Sequence, residues 1–439
     1  MTIRPQTAEW LHAEPVTDLP GWGLEILEAF IAGRGNPSRD IDLSLAENPE
    51  SVFGHCLRAA IIVRAGDASS RPRLAESISA IEAISRDGDS QTRRQASAAR
   101  AWLDGDQILA LERYGTIVVD FPHDILALVV AHALDFRLGF RRMLRDRIAQ
   151  VLPEWHAGMP AYASVLAMYA FGLEENGQFR RAERIARRAL EIDPRHPGAI
   201  HVIVHAMEMQ GRGREGLEFL AASESAWMDT GFSVHLAWHR ALFYLDADDV
   251  KSALAVYDTQ IARSRAISEL ADASALLWRL QLRGLRVDGR WSQLADLWDA
   301  QNLADARPFY IAHAMMAFAA TMRAAAVRRI FAMLGRPETG GPPASQPEER
   351  LFAPFCEALF AFACGDYAGC VERLGAVRHI VDECGGSHAQ CDLVQLTLVE
   401  AALRGRKANL ARALVAERTA QKPFSRFNRR LQRRLVTAA

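Results

Sequence analysis

The sequence predicts an all-α superhelix of stacked helical hairpins, an α-solenoid that is closed or strongly curved, on three observations. One hairpin repeat is written out in full from Ala163 to His196. Its small-residue register recurs with decay along the chain, and strand-like alternation is nearly absent. Each repeat of a solenoid packs only on its neighbours, so length does not count domains, and residues 1–439 are read as a single superhelix.

Counted from Ala163, the residues Ala170, Gly177, Ala182, Ala189 and Pro194 fall at positions 8, 15, 20, 27 and 32. The alanines let two antiparallel helices approach, the glycine ends the first helix and the proline stops the second. Such agreement at a period of about 34 residues marks a tetratricopeptide-type repeat. The register returns from Gln91 with Gly105, Ala110 and Pro122, and from Asp392 with Ala411 and Pro423. Weaker copies start near Ile125, Pro197, Val234, Ala275 and Leu351, and GRGNP around Arg34 to Pro37 marks a first, irregular hairpin. The total is seven to ten hairpins, interrupted by GRPETGGPPASQPEER (335–350), whose proline and glycine content suits a surface loop or hinge.

Half of the residues are hydrophobic, which supplies a large core, and no apolar run reaches the ~18 residues of a spanning helix. The amino end, MTIRPQTAEWLHAEP, lacks the apolar stretch of a secretory signal, so the expected location is the cytoplasm with no membrane partner. Six cysteines without a C-x-x-C pair argue against a zinc module or a disulfide framework. Fifty-two basic against fifty-three acidic residues leave a net charge of -1, from which no nucleic-acid partner is expected. The one local basic excess, Arg426 to Arg434, reads as the solvated face of a capping helix.

Four histidines carry the functional signal: His201 with His205 and His235 with His239, each pair four residues apart on one helix face. With Pro197 as position 1, His201, His205 and Glu208 fall on the concave surface of the repeat. With Val234 as position 1, His235 and Trp238 do so, while His239 lies off that set, one turn beyond His235. First helices of adjacent repeats pack at roughly 8 to 10 Å, so these imidazoles can meet. Counting from Ala275 adds Arg279, Arg283 and Arg286 to the same groove. His132 with Asp135, and His388 with Asp392 behind the N-cap Ser387, join the surface if the superhelix closes.

The segment from Pro160 to Ile261, with YAFGLEENGQFRRAE, HPGAIHVIVHAMEMQGRGREG and VHLAWHRALFYLD, continues in DASALLWRLQLRG, HAMMAFAA and GGSHAQCD. This ordered series resembles the tetratricopeptide repeat protein 38 family, from about Leu126 to the C-terminus. The resemblance implies a soluble helical superhelix and no particular reaction. It places the family's polar motifs on His132, Asp135, His201, His205, Glu208, His235, Trp238, His239, Asp272, His313, His388 and Asp392. Leu236 and Cys391 depart from the family pattern, which puts the local polarity in question.

Three readings follow. In the first, His201, His205 and His235, with or without His239, bind a divalent transition metal such as zinc. In the second, metal-free acid-base chemistry of hydrolase or lyase type runs on these histidines, with His388 and Asp392 as further catalytic groups. There Glu208 or Asp272 orients a ring, Trp238 forms an apolar wall, His132, Asp135 and His313 contribute to binding, and Arg279 holds a small polar or anionic molecule. In the third, the groove is a non-catalytic scaffold for a peptide. Against each stands a bland alternative: a lone histidine such as His55 or His313 hydrogen-bonds within the core, and Cys391 is an inert thiol. Gly211, Gly213 and Gly216 form G-x-G-x-x-G, but between two helices and with no preceding strand, so no dinucleotide site is read there. Trp278, Trp291 and Trp298 read as core.

Overall fold

The computed structural model describes residues 21–66, 68–85, 91–304, 306–334, 347–383 and 385–437. In chain order the helices are α1 (Gly21–Ala32), α2 (Pro37–Glu47), α3 (Val52–Ala65), α4 (Arg71–Ile84), α5 (Gln91–Leu103) and α6 (Gln107–Asp120). Next come α7 (Ile125–Arg137), α8 (Arg141–Val151), α9 (Tyr162–Glu175), α10 (Phe179–Ile192), α11 (Pro197–Met209) and α12 (Gly213–Ala222). They continue as α13 (Glu224–Trp227), α14 (Ser233–Asp246), α15 (Val250–Val256), α16 (Ile267–Leu282), α17 (Asp288–Asp299) and α18 (Pro308–Ala320). The last six are α19 (Ala324–Leu334), α20 (Pro347–Ala363), α21 (Tyr367–Val377), α22 (His388–Arg404), α23 (Ala408–Gln421) and α24 (Arg426–Thr437). Among the described residues there is no strand; one isolated antiparallel bridge joins Arg34 to Thr230. The all-α hairpin fold is thus present, with more helices than seven to ten hairpins supply. Of the Pro/Gly-rich segment 335–350, residues 335–346 lie outside the described residues, and 347–350 open α20.

The chain divides into two units, Met1–Ile203 with Ser223–Phe232, and Val204–Ala222 with Ser233–Ala439, and each is described by itself. The first unit holds the complete repeat as α9 and α10. Ala170, Ala182, Ala186 and Ala189 are wholly buried between the helices, and Gly177 turns the chain with φ +75°, a conformation that costs a residue with a Cβ. Side chains start other helices: Ser51, Asp106 and Asp124 each accept a hydrogen bond from the backbone N–H three residues on. The tightest contact involves a glycine outside the repeat consensus. A Cβ on Gly172 of α9 would stand 2.3 Å from the Leu144 carbonyl oxygen of α8, so the two backbones touch there.

The second unit curls back on itself. Trp278 Nε1 of α16 donates to Thr397 Oγ1 of α22 at 3.0 Å, and Arg404 of α22 donates to the Leu282 carbonyl at the end of α16 at 2.9 Å. Trp298 Nε1 of α17 reaches Ser274 Oγ at 2.9 Å. Trp278, Trp291 and Trp298 are buried core, as their spacing suggested, and each indole carries apolar area that dominates its contact. After α23 the chain returns to the start of the unit. Ser425 Oγ donates to Asp246 at 2.8 Å, and Lys422 reaches Glu208 at 3.1 Å across 214 positions of sequence.

The α8–α9 contact gives a direct test. Gly172→Ala forces two helix backbones apart and is expected to cost about 2 kcal/mol or more in urea unfolding, whereas Gly177→Ala costs about 1 kcal/mol for its left-handed turn. Equal, small losses at both sites would contradict the close approach.

Candidate functional site

Three imidazoles of the second unit converge because α11 and α14 each carry histidine on an inward face. His205 of α11 is buried, and its ring lies 4.5 Å, centroid to centroid, from that of His239 on α14. His239 stands 4.8 Å from His235, edge to face. Spacing had left His239 off the concave set; it is instead the middle ring of the three and wholly buried. One ligand nitrogen from each of the three lies within 4.8 Å of the others.

Two of the rings are held from behind by carboxylates. His235 Nδ1 donates to Asp272 Oδ2 of α16 at 2.9 Å, and His239 Nδ1 donates to Glu208 Oε2 of α11 at 3.1 Å. This bond fixes each ring's tautomer and orientation, leaving Nε2 as the basic nitrogen of the neutral form. Trp238 is stacked on His235 with planes 17° apart and centroids 5.3 Å apart, and the Arg279 guanidinium lies 5.3 Å over the other partner of that stack, Trp238 itself.

Burial and neighbours set the charges. Burial, followed by the adjacent His205, holds the His239 pKa well below the ordinary imidazole value despite Glu208. Burial also opposes protonation of His235, but Asp272 outweighs it and raises that pKa. Glu208 is penalised by burial, yet Lys422 and the two imidazoles beside it hold its carboxyl well below the usual range. Lys422 is raised in turn, because Glu208 and Asp392 overcome its burial. Glu208 therefore ties the imidazoles to a lattice of half-buried Lys422 and Asp392 and buried Arg418, the last two hydrogen-bonded to each other. Within this lattice lies a cavity of about 80 Å³ lined by Glu208, Arg279, Arg283, Asp392, Arg418 and Lys422 together with Leu242, Leu396 and Phe427. That space holds several waters or a small ion.

Several other residues singled out from the sequence take structural roles. His201 lies in the first unit, its ring stacked 5.9 Å from Phe171 and tilted 5.4 Å from Phe232. Asp135 is not a ligand group: it is wholly buried and bound by two nitrogens of Arg147, which consumes its oxygens. His132 donates to the Met168 carbonyl at 3.2 Å, and His313 to the Phe309 carbonyl of its own helix at 2.7 Å, so both are satisfied core rings. Of the arginine stripe counted from Ala275, Arg279 and Arg283 line the cavity, but α16 ends at Leu282. Arg286 is therefore an exposed loop residue paired with Asp288. Arg279 spends donors on the Ala275 and Ala389 carbonyls and is a packing cation at the cavity wall, not a free anion contact. His388 opens α22 behind a Ser387–Gln390 capping box, half-buried, while Asp392 belongs to the charge lattice. Cys391 Sγ donates to the Gly385 carbonyl at 3.4 Å. In the G-x-G-x-x-G stretch, a Cβ on Gly216 would stand 2.4 Å from the Phe243 ring, so that glycine serves helix packing. Sequence reasoning missed Lys422 and Arg418; their only signal was the return of the repeat register near Asp392, which does not say what the following turn touches.

No family model matches the chain. Solved structures similar to it include a human IFIT1 dimer with m7Gppp-AAAA, 12% identical with TM-score 0.45, covering 98% of this chain and 96% of that one. Another is a human IFIT1 dimer with PPP-AAAA, 12% identical, TM-score 0.44, with the same coverage of 98% and 96%. A third, Naa15/Naa10 bound to HypK-THB, is 15% identical with TM-score 0.31 and covers 96% of this chain and 71% of that one. At this identity the likeness concerns the helical fold alone. One expectation is corrected: the similar IFIT1 structures hold m7Gppp-AAAA and PPP-AAAA, so the absence of a nucleic-acid partner does not stand as a conclusion from net charge. What a polyanion meets is the local charge of a surface, which the sum over a chain does not report.

Two outcomes test the electrostatics. Lys422→Met leaves the Glu208 charge buried with imidazoles only and is expected to cost about 3 kcal/mol, part of it recovered in the double variant with Glu208→Gln. Additive losses in that cycle would show that the pair does not interact. In the first unit, burial lowers the pKa of both His132 and His196 from 6.5 to about 4. The unfolded chain then binds more protons between these values, so stability is full above pH 6.5 and falls as pH drops toward 4. The loss is about 2 kcal/mol per histidine by pH 5. Denaturant unfolding at pH 7 and pH 5 measures it, and His132→Gln should flatten the dependence.

Proposed function

We propose that this chain is a member of the tetratricopeptide repeat protein 38 family whose second unit binds a small polar or anionic molecule beside the histidine cluster. One observation carries the reading: a partly open cavity walled by four cations and four carboxylates shares Glu208 with the imidazole triad. Balanced buried charge in a packed helical core is costly unless each group is satisfied, and a polar guest in the cavity is one way to satisfy it. The space is too small for a peptide helix, about 10 Å across, which speaks against the scaffold reading at this place. A cytoplasmic location belongs to the same proposal, in keeping with the free thiols at Cys56, Cys356, Cys364, Cys370 and Cys391.

The test is a thermal-stability titration of metal-free protein with inorganic phosphate, succinate and a 5′-triphosphorylated oligonucleotide. Saturable stabilisation by at least one probe at millimolar concentration is expected, weakened in Arg283→Gln, whose side chain lines the cavity. No shift with any of the three, or an undiminished shift in the variant, sinks the reading.

A further inference from the structure

We propose that His205, His235 and His239 together bind one divalent transition-metal ion, zinc or a near congener, with Asp272 and Glu208 as the carboxylates behind two of the ligands. The inference deepens the reading above by naming a partner for the same site, yet its geometry stands on the imidazoles and not on the cavity.

Three arguments converge. The donors come from rigid helices: His205 from α11, and His235 with His239 four residues apart on α14, one nitrogen from each lying within 4.8 Å of the others. Zinc at 2.0–2.1 Å from each nitrogen sets them about 3.4 Å apart, so the rings need to close by roughly an ångström, a movement within the reach of side-chain rotation. Next, the Nδ1 atoms of His235 and His239 are engaged by Asp272 and Glu208 at 2.9 and 3.1 Å. Metal-bound histidines are held in this way, the carboxylate fixing the tautomer and making Nε2 the ligating nitrogen. Finally, three imidazoles and two carboxylates gather, buried or half-buried, in a helical fold whose repeat consensus calls for small apolar residues, and Asp272 supplies negative charge beside the donors.

The donor set also selects the ion. All-nitrogen coordination suits zinc, cobalt, nickel or copper and disfavours calcium and magnesium, which demand oxygen. Three ligands from this unit leave the remaining coordination position to a further donor, a water or an atom of a bound molecule. His313, also in the second unit, is committed to a backbone carbonyl and stays outside the set.

The experiment uses full-length protein stripped with a chelator and titrated with Zn²⁺ by calorimetry and with Co²⁺ by visible absorption. One ion per chain is expected, with cobalt bands of four- or five-coordinate geometry. His205→Ala and His239→Ala should each weaken binding by at least 100-fold, Asp272→Asn by 10- to 100-fold, and His313→Ala should leave it unchanged. Should the alanine variants fail to fold, Cu²⁺ bound to the wild type reports ligation by its nitrogen hyperfine couplings. Substoichiometric binding to wild type, full binding to folded His205→Ala, or copper without nitrogen couplings overturns the proposal. Zinc failing while phosphate or succinate still stabilises the protein removes the metal alone, and the converse removes the cavity alone.

Discussion

Glu208 sits where three demands meet: the ring of His239, the ammonium of Lys422 and the wall of a polar cavity. A half-buried carboxylate there is held by both partners, because removing charge from water costs free energy that a paired cation and a hydrogen-bonded ring offset. The second unit is therefore held to one geometry. The turn after α23 must return to α11, and α14 must present His239 toward the same carboxylate. If the return is displaced, Glu208 is left as an uncompensated charge next to two imidazoles. A single residue thus couples how the unit closes to how its histidines are arranged.

The apolar framework makes that coupling possible. Buried alanines in α9 and α10 and the Gly172 contact with α8 bring helices of the first unit to close range, where side chains of the next turn are positioned by backbone and not by chance. In the second unit Trp278 and Trp298 do similar work at larger distances, using their indole N–H groups to pin a neighbouring helix through Thr397 and Ser274. Polar groups then divide between two tasks. Asp135 with Arg147, and His132 and His313 with carbonyls, only satisfy themselves. His235 with Asp272 and His239 with Glu208 fix two rings that meet edge to face.

How much of this was legible in the residues varies with the range of the interaction. Helix faces and hairpin ends follow from local rules, so Ala170, Gly177, Ala182, Ala189 and Pro194 announced the repeat, and the spacing of His201, His205, His235 and His239 announced two polar helix faces. The register counted from Ala275 starts inside α16, which begins at Ile267 and ends at Leu282, so Arg279 and Arg283 reach the cavity while Arg286 falls beyond the helix. Helical repeats tolerate such errors: three or four residues per turn offer several plausible faces, and the small-residue signal is weak outside the best copy.

The sequence by itself determined the fold class and the identity of the unusual side chains, since propensity, capping and period act within a few residues of the chain. Only the tertiary structure decided the partners. It put His239 at the centre of the triad, set Asp272 and Glu208 behind two of the rings, brought Lys422 from 214 positions away to Glu208, and turned Arg279 and Asp135 into structural groups. The physical reason is that a buried charge finds its partner through the closure of the whole unit, and the free energy of that match depends on distances that no local pattern encodes.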